Sequence, residues 1–151
     1  MKYFSIDELS ASTEARRMGI DNTPTLVAAA NLAALVEAVL DPLREKYGRP
    51  IIVSSGYRCQ RLNRAVGGSA TSQHVSGEAA DIYVTRPREM AELFSLIYYT
   101  LPYDQLIWER GTDEAPAWIH VSYRRGGDMA NRYQCLRYDG KKYYPYKPTL
   151  R

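Results

Sequence analysis

The sequence predicts an α+β fold in which helices pack on a small antiparallel sheet. Apolar residues recur with helical period in the N-terminal third, whereas β-branched runs and alternating segments follow it. Near the C-terminal end, Asp139-Gly140 separates two alternating segments, which is a strong hairpin signal. Because helices come early and hairpin strands come late, the order of elements is that of an α+β fold.

Length and composition set the class of protein. The chain has 151 residues, of which 45% are hydrophobic and 25% are charged, and we expect a single globular domain over residues 1–151, present as a monomer. The net charge is +3, and basic residues are interspersed with acidic ones. This argues against a nucleic-acid partner. The mild positive balance suits an anionic polymer, but ordinary solubility explains it equally well.

The N-terminal sequence bears on the cellular compartment. It lacks the apolar core of a secretory signal and carries Asp7 and Glu8 instead, so we expect the protein to be cytoplasmic on synthesis. The most apolar stretch, Thr25 to Leu40, is interrupted by polar residues and short for a bilayer span, which predicts a buried helix and no membrane partner. A reducing compartment further predicts that Cys59 and Cys135 are unpaired.

The N-terminal elements are predicted to be helices. A Ser-x-x-Glu capping box indicates a helix over about Ile6 to Met18. In the longer helix that follows, Pro24 suits the first turn, apolar residues recur with helical period to Tyr47, and Gly48 can cap the end.

The rest of the chain is predicted to alternate between strands and short helices. A β-branched run at Ile51 to Val53 indicates a strand, followed by a short helix around Cys59 to Val66. A strand over Glu78 to Val84 and a helix over Pro87 to Thr100 come next. The remaining segments are predicted strands: Gln105 to Glu109, Trp118 to Tyr123, Tyr133 to Tyr138 and Lys142 to Tyr146.

The two histidines of the chain lie beside predicted strands. His74 belongs to a loop that turns at Gly77 into a strand, and alternation places Asp81 on the face opposite the apolar layer. His120 likewise lies on the polar face of its strand, between two apolar neighbours. Two imidazoles and one carboxylate would leave the fourth position of a zinc ion free for water, as a catalytic site requires. Histidines and turn aspartates are also common as purely structural residues, in which case no metal binds.

Two motifs resemble those of a zinc peptidase family that contains D-Ala-D-Ala carboxypeptidases and L-Ala-D-Glu endopeptidases. The motifs are Ser72-x-His74-x-x-Gly77-x-Ala79-x-Asp81 and Trp118-Ile119-His120-Val121-Ser122. The first is specific because several fixed positions must agree at once. The likeness covers roughly half of the chain, from about Ile52 to Tyr123, and implies the fold that the family shares with the hedgehog signalling domain.

The resemblance implies roles for individual residues. The zinc ligands would be His74, Asp81 and His120. Ser72, and less directly its neighbour Gln73, would lie in the substrate cleft, and Arg58 would hold a substrate carboxylate or carbonyl oxygen. A guanidinium suits that role because its fork can bind a carboxylate through two hydrogen bonds. A loop arginine that pairs with some acidic neighbour is the alternative.

The general base departs from the commonest pattern of the family. Many members carry an acidic residue three positions before the last histidine, where this chain has Ala117. Other branches resemble the segment Asp104 to Glu109 and use its glutamate, which implies Glu109 here. Alternation also places Glu109 on the same strand face as Gln105 and Ile107, opposite Leu106 and Trp108. A strand holds a base more rigidly than a loop does. Asp113 and Glu114, in the loop that follows, are the reserve candidates.

The resemblance implies hydrolysis of a peptide bond in the stem or cross-bridge of bacterial peptidoglycan. A carboxypeptidase and an endopeptidase both fit, as does a non-catalytic zinc-stabilised binding or virion-structural domain. A cytoplasmic enzyme meets the wall only after release, so a phage or prophage lysis or tail protein is expected, with a bacterial housekeeping enzyme as the alternative. The tyrosines between Tyr133 and Tyr146 either line a groove for this substrate or cover the outer face of a hairpin.

Overall fold

The computed structural model describes residues 1–149, in which three helices precede the first strand of a six-stranded sheet and two further helices lie between strands. The helices are α1 (Ile6–Ser10), α2 (Thr13–Met18), α3 (Leu26–Tyr47), α4 (Gln60–Ala65) and α5 (Met90–Thr100). The strands are β1 (Ile52–Ser55), β2 (Ala79–Tyr83), β3 (Gln105–Glu109), β4 (Trp118–Ser122), β5 (Gln134–Tyr138) and β6 (Tyr143–Pro145). The strand order is β1-β2-β4-β3-β5-β6. The predicted α+β class is confirmed.

The sheet is mixed, so the prediction of an antiparallel sheet is wrong in one pairing. β5 runs parallel to β3, while the other neighbouring pairs are antiparallel. The segment after β4 carries the chain past the start of β3, where the backbone N–H of Gln134 donates to the Asp104 carbonyl at 2.9 Å. β5 therefore starts beside the start of β3 and runs parallel to it. The β5–β6 hairpin turns through Asp139-Gly140 as predicted, with Gly140 at φ 100°.

The first predicted helix is in fact two helices. α1 ends at Ser10, and α2 begins at Thr13 after a second N-cap, in which the Ser12 Oγ accepts a hydrogen bond from the Ala15 N–H at 3.0 Å. The chain is extended at Ala11, with ψ 137°. A serine that caps a helix offers the backbone an alternative to continued helix, and the apolar period alone does not reveal this break.

The longest helix, α3, packs in the core. It begins at Leu26 after a Thr25 N-cap, so Pro24 precedes the helix rather than occupying its first turn. By length and composition alone α3 could cross a membrane. Its buried side chains nevertheless belong to the main hydrophobic cluster, as in a core helix of a globular fold: Leu32, Leu35, Val36, Val39, Leu40 and Leu43.

The two faces of the sheet have different surroundings. Alternate strand residues join the core with α3 and α5: Ala80, Ile82, Leu106, Trp108, Ile119 and Val121. The residues between them point the other way and line a cleft. Cys59 and Cys135 are free thiols, as predicted.

Candidate metal centre

The three predicted metal ligands converge at one point of the cleft. His74 comes from the loop before β2, Asp81 from β2 and His120 from β4, and Asp81 lies directly opposite His120 in the β2–β4 pairing. The Asp81 Oδ1 is 3.4 Å from the His74 Nε2 and 3.0 Å from the His120 Nδ1. One potential ligand atom from each residue lies within 4.8 Å of the others.

These distances fit a small divalent cation. Tetrahedral zinc with bonds of about 2.0–2.1 Å needs donor atoms about 3.3 Å apart, which is close to the two separations from Asp81. Two imidazoles and one carboxylate suit zinc and also other divalent ions. The three side chains could hold a metal and leave a further coordination position for water or substrate.

The backbone of Gly56 fixes the orientation of His74. The His74 Nδ1 lies 2.6 Å from the Gly56 carbonyl oxygen, which can only accept a hydrogen bond, so the proton is on Nδ1 and the lone pair is on Nε2. Gly56 itself packs closely against α1. A Cβ atom at this position would come within 2.1 Å of the Leu9 carbonyl oxygen. The N-terminal helix thus supports the tautomer and the position of His74.

The surroundings of His74 and Asp81 keep these two groups in the states that a metal requires. Burial lowers the pKa of His74, although the Asp81 charge opposes this, and the imidazole is therefore neutral. Burial opposes ionisation of Asp81, but the interactions with His74 and His120 outweigh it and hold the pKa of that carboxyl well below its usual range. A neutral imidazole and an ionised carboxylate are the forms that bind metal.

The cleft has a volume of about 840 Å³ and extends from the metal ligands across the sheet to β6. Strand register arranges its floor in rows. The row that we call the Glu109 row consists of Trp118, Glu109, Tyr138 and Tyr143. The adjacent row runs from His120 through Ile107 to Leu136. A cleft of this size accommodates a ligand larger than one amino acid.

Glu109 has the surroundings expected of a general base. It is only 7% exposed, and it lies diagonally across the β3–β4 pairing from His120, since Ile107 faces His120 and Glu109 faces Trp118. Burial raises the pKa of Glu109 to about 7, with the nearby His120 acting against and Asp81 adding to the rise. A carboxylate with a pKa near the working pH is well matched to moving a proton.

The reserve candidates lie elsewhere. Asp113 and Glu114 are exposed in the β3–β4 loop and do not line the cleft. Asp113 also pairs with Arg137, with 2.7 Å between Oδ1 and Nη1. The geometry therefore favours Glu109 over both, although its catalytic role stays a prediction.

The raised pKa of Glu109 predicts a pH-dependent effect on stability in zinc-free protein. A carboxyl that titrates at about 7 when folded and near 4.5 when unfolded favours the folded state at low pH, and this contribution is lost as the pH rises from 4.5 to 7. Glu109→Gln removes the ionisable group and therefore the stability loss that its ionisation causes. The Tm of the variant should exceed that of the wild type by more at pH 8 than at pH 5. Thermal unfolding in EDTA measures this. Glu114→Gln, at an exposed site, should show no such difference, and an equal shift at both pH values for Glu109→Gln would contradict the burial effect.

Arg58 lines the cleft beside the metal ligands and is held by neutral partners. Its guanidinium donates to the Ser55 Oγ and the Asn63 Oδ1, both at 3.1 Å, and to the Ser72 Oγ at 3.5 Å. Burial lowers the pKa of Arg58, and the charge of Asp81 opposes this. Within residues 1–149 no carboxylate forms an ion pair with Arg58, so the alternative of a loop arginine paired with an acidic neighbour finds no support.

Ser72 and Gln73 also line the cleft. The Ser72 Oγ accepts hydrogen bonds from the His74 backbone N–H, at 3.2 Å, and from Arg58, which ties a metal ligand to the arginine. The Gln73 Nε2 donates to the Asp104 Oδ2 at 3.0 Å.

A charged cluster around Asp104, which also contacts Gln73, was not predicted. Asp104 is fully buried and accepts hydrogen bonds from Arg132, the shortest at 2.7 Å, while Arg124 lies 3.4 Å away. Burial opposes the charge of Asp104, but the hydrogen bonds from Arg132 and Gln73 hold its pKa below the usual value. The sequence analysis identified Asp104 only as the first residue of a motif. Its charged partners come from distant segments, so the cluster could not be predicted from local sequence.

The tyrosines of the C-terminal segment have two kinds of surroundings, and one of them, packing in the core, was not predicted. Tyr138 and Tyr143 line the cleft, and Arg110 lies beside them. Tyr146 instead packs in the core against Phe94 and Trp108.

Comparison with protein families identifies a match. A family model described as Peptidase M15 matches residues 2–122, which include α1 to β4 and all three potential metal ligands. β5 and β6 lie beyond the matched residues. No curated protein matches the chain.

Proposed function

The chain belongs to the peptidase M15 family, and on that premise we propose that it is a zinc-dependent peptidase that hydrolyses a stem-peptide or cross-bridge bond of bacterial peptidoglycan. M15 membership supports a metallopeptidase that acts on peptidoglycan-like substrates. The observation that carries the proposal is the convergence of His74, Asp81 and His120 within 4.8 Å in a cleft.

The residues around the ligands suit peptide hydrolysis. A bound zinc ion would polarise the scissile carbonyl and lower the pKa of water at the site. Glu109 accepts the proton of the attacking water and passes it to the leaving amine, for which its pKa of about 7 is suitable. Because Glu109 is fixed on a strand, the proton acceptor stays in place during the reaction.

Arg58 and Ser72 orient the substrate. The hydrogen bonds to Ser55 and Asn63 hold the guanidinium in the cleft without neutralising it, so it can bind a substrate carboxylate or carbonyl oxygen. Gln73, held by Asp104, offers a further polar contact. These groups are in place before substrate arrives, which reduces the entropy lost on binding.

The charges of the cleft suit an anionic peptide. Its lining includes the basic residues Arg58, Arg110, Arg124 and Arg132, of which the last two share the charge of the buried Asp104. The acidic residues that line it are Glu109 and Asp81, and Asp81 is one of the three potential metal ligands. Stem peptides carry several carboxylates, and a cationic cleft attracts them.

Product analysis tests the proposed function. Zinc-loaded protein should cleave purified muropeptides, EDTA should stop the cleavage, and added zinc should restore it. Mass spectrometry separates the two activities, because a carboxypeptidase releases free D-alanine and an endopeptidase releases larger fragments. Stoichiometric zinc without cleavage of any muropeptide would exclude the peptidase and favour a non-catalytic zinc-stabilised domain.

A further inference from the structure

The far end of the Glu109 row is an aromatic surface with no part in the proposed hydrolysis. We propose that Tyr143, with Tyr138 and Arg110 beside it, is a saccharide subsite that binds a sugar ring of the glycan strand while the attached peptide is cut. The inference rests on the proposed function and adds a second part of the substrate to it.

Register places this surface next to Glu109. Tyr138 lies opposite Glu109 in the parallel β3–β5 pairing, and Tyr143 lies opposite Tyr138 in the β5–β6 pairing. Neighbouring strands are about 4.8 Å apart, so the two tyrosines start about 5 Å and about 10 Å from the Glu109 backbone. Both side chains line the same cleft as Glu109.

The two tyrosine rings lie against each other, and Tyr143, the outer ring on the edge strand β6, keeps one face open. Their centroids are 4.3 Å apart and their planes differ by 19°, so they are stacked. Tyr143 is nevertheless 56% exposed. An aromatic ring offers a broad apolar face with a polar hydroxyl at its edge, which matches the apolar face and the hydroxyls of a pyranose ring.

Arg110 adds hydrogen-bond donors to this surface. Its guanidinium carbon lies 5.3 Å from the Tyr138 ring centroid and 6.0 Å from that of Trp118. Among residues 1–149 the guanidinium has these ring contacts and no hydrogen bond. A guanidinium against an aromatic ring keeps donors at its edge, and these suit the hydroxyl and acetamide oxygens of an N-acetylated sugar.

The composition of peptidoglycan favours a sugar over a peptide side chain. Stem peptides consist mainly of alanine, glutamate and a diamino acid, none of which has a broad apolar face. The sugar ring is the part of the polymer that has one. The surface is also continuous with the catalytic cleft, so a glycan and its attached peptide would occupy both at once.

The distance to the metal ligands determines how much peptide can lie between the two sites. The bond that is cut lies at the metal, and β6 is three strands away from His120 on β4, which is about 14 Å. An extended residue spans about 3.3–3.6 Å, so a substrate that fills both sites has at least roughly four residue lengths between the sugar and the cleaved bond. A stem peptide that is still attached to its sugar can span this distance.

Binding of a sugar oligomer tests the subsite apart from hydrolysis. Zinc-loaded protein is titrated with tri-N-acetylchitotriose while tryptophan fluorescence is followed. Tyr143→Ala should weaken binding roughly tenfold, the loss expected for one stacked ring, and Tyr143→Phe should keep most of it. Tyr144→Ala, which removes the next tyrosine on the opposite face of β6, is the matched control. Absence of binding by wild type, or equal losses in the Tyr143→Phe and Tyr143→Ala variants, would overturn the stacking role.

Kinetics with paired substrates separate this inference from the proposed function. The same stem peptide is offered with its muramyl sugars and with a free N-terminus. Wild type should show a lower KM for the sugar-linked form, and Tyr143→Ala should lose that preference while kcat on the free peptide is kept. Equal KM values for both forms in the wild type would overturn the subsite and leave the peptidase intact. Cleavage of neither form would overturn the proposed function instead.

Discussion

Glu109→Gln is expected to lower kcat on muropeptides by about 10²–10⁴-fold, the usual contribution of a general acid or base. Glutamine keeps the size of the side chain and removes the site that accepts the proton. Because Glu109 is buried and lies diagonally opposite His120, no solvent-exposed group takes its place easily. KM should change little, since Arg58 and Ser72 still bind the substrate. Steady-state kinetics with zinc-loaded protein measure both quantities.

The loop acids provide the matched controls for this experiment. Asp113→Asn and Glu114→Gln change equally acidic residues of the same β3–β4 hairpin, outside the cleft. Both variants should retain wild-type kcat. A large loss in either, together with near-normal kcat for Glu109→Gln, would mean that the base is on the loop.

His120→Ala is expected to abolish both zinc binding and cleavage. It removes one of three ligand atoms, and it leaves the Asp81 carboxylate without the imidazole that lies 3.0 Å from it. Two remaining protein donors hold zinc far more weakly than three, and ligand loss in such sites costs metal affinity directly. Zinc content after dialysis measures the first effect. The second is read from the release of muropeptide fragments.

Thermal unfolding gives an independent measure of the same loss. A ligand that binds only the folded state raises its stability, so added zinc should raise the Tm of the wild type and of Glu109→Gln, but not that of His120→Ala. Glu109→Gln thus serves as the control that loses activity and keeps metal. Retention of stoichiometric zinc by His120→Ala would show that the ion binds elsewhere.

The central part of the cleft could be predicted from local sequence because strand alternation is a short-range property. Asp81 and His120 each alternate with buried apolar residues, which is enough to place them on one face of the sheet. Glu109 follows the same rule on β3. The bounds of β3 were predicted without error, and those of the other strands within one or two residues.

The parts that sequence did not predict depend on contacts between distant segments. The start of β5 is placed beside β3 by a backbone hydrogen bond from Gln134 to Asp104, and no local sequence pattern predicts this long-range contact. Arg132 reaches Asp104, and Tyr138 reaches the Glu109 row, only because of that pairing. The break between α1 and α2 has a local cause instead. The N-cap at Ser12 starts a new helix although the apolar residues continue with helical period.

The β5–β6 hairpin joins the sheet by strand pairing with β3, at the edge opposite β1. This position has a consequence for how such an enzyme diversifies. The metal ligands lie on β2, β4 and the loop before β2, and none of them contacts the hairpin in the strand pairing. Inward-facing residues such as Cys135 and Tyr146 pack against the core, whereas Tyr138 and Tyr143 face the cleft. We therefore expect that a hairpin grafted from another peptidase, with Cys135 and Tyr146 kept, would change substrate choice and leave the metal ligands in place.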